Sequence, residues 1–106
     1  MMNIENKGKY SIITCNNLND LNLLVSYLNT NFKEPPNLII NLLELNADDQ
    51  IILSKLSPLY LNWQKRNKSF ILVSKIRKKL QNSLITIASL EEAIDFFHME
   101  ELTRII

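Results

Sequence analysis

Glycine, cysteine, histidine and tryptophan each occur once in the 106 residues, and proline three times. Each scarcity removes a class of chemistry. Backbone that cradles a phosphate needs several residues without Cβ. With Gly8 alone, a dinucleotide fingerprint and a P-loop are both excluded. A zinc site takes three or four ligands, mostly Cys and His. Cys15 and His98 are two, so carboxylates would have to complete any such site. One cysteine forms no internal disulfide, which fits a reducing cytosol. Apolar runs stop at four or five residues, far short of a membrane span. Residues 1–30 lack a basic start, a long apolar stretch and an Ala-x-Ala site, so no signal peptide is expected and the chain is read as cytoplasmic. Twelve basic residues against eleven acidic ones leave a formal charge of +1, too little for a strongly basic nucleic-acid binder.

What is present reads as one globular domain. Hydrophobic residues make up 46% and charged residues 22%, near the average for a packed core with a mixed surface. Ile and Leu supply 32 residues and Asn 14, which we read as a compositional habit of the source and not as chemistry.

Residues 2–15 pattern as a β-hairpin, with Asn6-Lys7-Gly8-Lys9 as its turn. A helix is expected from Leu18 to Phe32, with Leu21, Leu24, Val25, Leu28 and Phe32 inward and Asn17 or Asn19 as cap. Pro35 and Pro36 stop it. Leu38–Leu43 is a nearly continuous apolar run, the pattern of a strand covered on both faces. The loop Asn46-Ala47-Asp48-Asp49 leads into a second helix with Ile52, Leu56, Leu59 and Trp63 buried and Lys55, Asn62, Lys65 and Arg66 facing away. Pro58 falls inside that helix and implies either a kink near Ser54 or a break capped by Ser57. Phe70–Val73 and Leu84–Ile87 are two more strands, separated by a short basic turn of helix over Lys75–Gln81. Ser89 and Glu92 have the spacing of a capping box that opens the last helix. The expected class is α/β: one domain over residues 1–106, an N-terminal hairpin, then alternating helices and strands on a mostly parallel sheet.

Five groups could carry chemistry. His98, between Phe97 and Met99, titrates near neutrality and could carry a proton, but nothing nearby suggests an orienting partner, so a partly exposed helix histidine is preferred. Cys15 could lie near a helix N-terminus that favours thiolate; a small half-buried apolar residue is preferred. Asp48 and Asp49 lie beyond the carboxyl end of a buried strand, where open α/β sheets bind ligands. They are also ordinary helix starters, and capping is preferred over recognition. Lys75-Ile76-Arg77-Lys78-Lys79 holds four cations in five residues without a stacking aromatic, and reads as a solvated face. Trp63 and the apolar residues of the last helix fall at core spacing before they suggest a partner patch.

The order of elements resembles the STAS domain (sulphate transporter and anti-sigma factor antagonist). The resemblance rests on the strand Leu38–Leu43, the loop Asn46–Gln50, the helix to Arg66, the strand Phe70–Val73 and the closing Ser89-Leu90-Glu91-Glu92-Ala93. It implies a hairpin followed by a βαβαβα core, acting as a non-catalytic, regulatory protein-binding module. In that family a serine in an Asp-Ser-Ser-Gly loop is phosphorylated. Here the loop has no Ser, Thr or Gly, Asn41 stands where Asp is frequent, and Ser54 and Ser57 come a turn or more later, so no phosphosite is expected. An acidic loop at a helix start instead resembles the phosphorylated state. The expected partner-binding residues are Asn46, Asp48, Asp49 and Gln50, toward a protein partner, with no cofactor, metal or nucleic acid. A homodimer through the open edge of the hairpin is a further expectation. The alternatives are a small-molecule or lipid-binding domain and, last, an enzyme using Cys15 or His98. The chain is also similar to short bacterial chains that carry a ribonuclease Z label. That activity requires His-x-His-x-Asp-His, which one histidine does not supply, so no metal-dependent nuclease is expected.

Overall fold

The computed structural model describes residues 2–30, 34–75 and 85–105. The strands are β1 (Asn3–Asn6), β2 (Ser11–Thr14), β3 (Leu38–Asn41), β4 (Phe70–Val73) and β5 (Ile85–Ile87); the helices are α1 (Leu18–Leu28), α2 (Asp49–Lys65) and α3 (Leu90–Ile105). They form a single α/β domain around one sheet of order β1-β2-β3-β4-β5. The β1–β2 pair is antiparallel and the rest of the sheet is parallel.

Gly8 makes the hairpin turn. It sits at φ +91°, where a side chain is strained, and its amide donates to Asn6 Oδ1 at 2.8 Å. Strand order then advances in one direction, so the right-handed crossovers through α1 and α2 lie on the same face. α3 covers the other face. Register turns the alternation of side chains into two rows. Ile12, Ile39 and Ile71 are aligned and pack toward Ala93 and Phe97 of α3. Ile13, Ile40 and Leu72 are aligned beneath Leu21, Leu24, Leu56 and Trp63 of α1 and α2. That two-sided cover explains why β3 and β4 read as continuous apolar runs.

Asn37 joins three strand entries at the lower end of the sheet. Its Nδ2 donates to the Lys9 carbonyl at 3.0 Å, and its Oδ1 accepts from the Ser69 amide at 2.9 Å.

Several boundaries differ from the expected ones. α1 stops at Leu28, capped by Asn29, and residues 31–33 lie outside the described set, Phe32 among them. β3 ends at Asn41 because its Oδ1 accepts from the Leu43 amide and turns the chain there. α2 neither breaks at Pro58 nor restarts at Ser57; it is one helix of 17 residues. Pro58 is exposed on the outer face of the helix. Ser89 Oγ accepts from the Glu92 amide at 3.2 Å, which is half of the expected capping box. The expected helical turn after Lys75 falls on residues outside the described set, as does Leu84.

Candidate functional site

The carboxyl ends of β2, β3 and β4 point to one rim of the molecule, and α1 and α2 both start there. Asn17 caps α1, its side chain accepting from the Asp20 amide at 2.9 Å. Asp48 caps α2, accepting from the Gln50 amide at 3.1 Å. Asn46, Asp48 and Gln50 are exposed and Asp49, the first helical residue, is half-buried. The four expected residues therefore form one short solvent-facing segment. Capping engages one oxygen of the exposed Asp48 carboxylate.

The segment runs directly into the outer face of α2. Ile51 is 39% exposed and Leu61 47% exposed, and Pro58 is exposed between them. The spacing from Ile51 to Pro58 is two helical turns, so the three lie along one side, opposite the buried Ile52, Leu56, Leu59 and Trp63. This apolar strip lies outside the buried core of the domain.

Cys15 is fully buried at the end of β2, and its amide donates to the Asn41 carbonyl at 3.0 Å. Burial, with the nearby Asp20 carboxylate second, pushes its thiol up to about 12. A thiol so placed keeps its proton and is a core residue. His98 is exposed on α3, edge-on to the Tyr10 ring at 6.1 Å and tilted against Phe97 at 5.4 Å. Trp63 is buried and its indole Nε1 donates to the Pro36 carbonyl at 2.7 Å, so it belongs to the core and not to a partner patch. Of the basic cluster, Lys75 is exposed and residues 76–79 lie outside the described set. Among the described residues no three His, Cys, Asp or Glu side chains gather where a metal ion could sit. Nor is any described helix long and apolar enough to cross a membrane.

A second locus, not anticipated from sequence, lies at the opposite end of the sheet. A cleft of about 290 Å³ opens between the last turns of α2 and α3, lined by Tyr60, Gln64, Asn67, Lys68, Phe70, Glu100, Thr103 and Arg104. Ser69, 2% exposed, lies beside it. Its hydroxyl donates to Glu100 Oε1 at 2.8 Å and accepts from Arg104 Nη2 at 3.0 Å. Tyr60 and Phe70 meet edge to face at 6.0 Å. Burial, then the Glu100 charge, raises the Tyr60 hydroxyl above its ordinary pKa and holds it as a donor. Asn67, at φ +59°, turns the chain from α2 into β4. One signal was present in the sequence: Glu100 and Arg104 are four apart, hence on one side of a helix. What brings Ser69 between them is tertiary.

Compared with models of known protein families and with curated proteins, the chain matches none.

Proposed function

We propose that the chain is a STAS-like, non-catalytic docking module that binds a partner protein through residues 46–50 and the outer face of α2. The observation that carries this reading is the strip Ile51, Pro58 and Leu61, exposed at helical spacing and continuous with the acidic loop. Apolar anchors next to a polar, charged border have the composition of a protein interface. The order of elements up to β4, a hairpin followed by parallel strands alternating with helices, agrees with the one that the STAS resemblance implies and supports the same reading. On this reading Asp48 and Asp49 supply at the start of α2 the negative charge that a phosphoserine would supply.

The test is a pull-down from native lysate with the unaltered chain and three double variants. D48S/D49A removes charge while serine still caps the helix. I51S/L61S removes the anchors, and M99S/L102S alters exposed residues of α3 as a control. The expected result is one stoichiometric protein held by the unaltered chain and the α3 control. The other two variants should hold it about ten-fold more weakly, a loss of roughly 1.4 kcal/mol. Equal retention by all four, or no retained protein, sinks the proposal.

A further inference from the structure

We propose that the cleft between the last turns of α2 and α3 is a binding site for a small zwitterion, a free α-amino acid. It lies away from residues 46–50 and stands or falls independently of the docking reading. Lys68 and Arg104 bring two positive charges to the cleft and Glu100 one negative. Groups of both signs thus line one small cleft, which suits a ligand that carries one charge of each sign.

Glu100 and Arg104 reach each other through a single atom, the Ser69 oxygen. Opposite charges one hydroxyl apart complement a ligand whose ammonium and carboxylate are one carbon apart. The Glu100 carboxylate faces the ammonium and the Arg104 guanidinium faces the carboxylate, with Lys68 as a second cation. Ser69 is buried and engaged on both sides, so the geometry of the pair is held in the unliganded protein. Preorganisation of this kind lowers the cost of binding. Phe70 and Tyr60, 2% and 6% exposed, close the base of the cleft, and Tyr60 keeps its hydroxyl proton to donate. A volume of about 290 Å³ matches an amino acid and is small for a nucleotide or a lipid.

The test is a titration of the full chain followed by amide chemical shifts. The probes are leucine, isocaproate (leucine without its ammonium) and isoamylamine (leucine without its carboxylate). Leucine should saturate with a dissociation constant of about 0.1–1 mM and move the amides of Asn67, Lys68, Glu100 and Thr103. Each half-ligand should bind about ten-fold more weakly or worse. Glu100→Gln keeps an acceptor for Ser69 and should weaken leucine by about ten-fold; Lys68→Met lies outside the buried network and should do the same if the first variant folds poorly. The proposal is overturned if isocaproate or isoamylamine matches leucine. It is equally overturned if the shifts map elsewhere, if both variants bind normally, or if leucine does not saturate at its solubility limit.

Discussion

Side chains whose chemistry drew notice in the sequence divide by burial. Cys15 is a core residue, and its ionisation becomes a stability effect. In the unfolded chain the thiol loses its proton near its ordinary 9.0; in the folded chain it holds it until about 12. Between those values the unfolded state binds fewer protons, so stability falls as pH rises through that window and is untouched below it. Cys15→Ala should begin less stable, because it leaves a cavity, yet lose less stability between about pH 8 and about pH 10.5. Urea denaturation at the two pH values reads the difference, and parallel losses in both proteins would refute the assignment. Burial of Trp63 was readable from its place in an apolar pattern, whereas Cys15, expected half-buried, is fully buried. The Ser69 bridge was not readable, because a serine between a lysine and a phenylalanine has no periodic signature, and its two partners arrive from residues 31 and 35 positions away.

Among the elements, α2 departs most from its expected form. A proline inside a helix removes one hydrogen bond and crowds the preceding turn, at a cost of about 3 kcal/mol. The helix continues because Ile52, Leu56, Leu59, Tyr60 and Trp63 bury on both sides of the proline and Pro58 itself faces water. Tertiary packing outweighs local propensity here. Pro58→Ala should therefore raise the thermal midpoint, with a net gain of about 1–2 kcal/mol after the loss of proline's restriction on the unfolded chain. A lowered midpoint would mean that the proline shapes the helix for packing. The helices and strands were legible because apolar spacing is a direct imprint of which side meets the sheet. Their ends were less so. β3 is cut short by an Asn side chain bonding its own neighbourhood, a choice that the apolar Leu42 and Leu43 conceal.

At the scale of the molecule, the sheet orders stability from its centre outward. β3 and β4 are flanked on both edges and covered on both faces, whereas every residue of β1 is exposed. Hydrogen exchange should be slowest at Ile40 and Leu72, and the amides of β1 should exchange about a hundred-fold faster through local opening. Uniform protection across all five strands would contradict this ordering. At the open edge of the sheet, Glu5 of β1 pairs with Lys7 of the hairpin turn at 3.1 Å.

Composition and periodicity were enough for the α/β class, the hairpin at Gly8, the paired apolar strands and the acidic cap of α2. Each of these depends on neighbours within a few residues and on the distinction between apolar and polar. The sharing of one face by α1 and α2, the exposed strip on α2 and the cleft around Ser69 depend on where distant segments meet. Handed crossovers and strand register set those meetings, and they place Ser69, Glu100 and Arg104 within hydrogen-bonding distance.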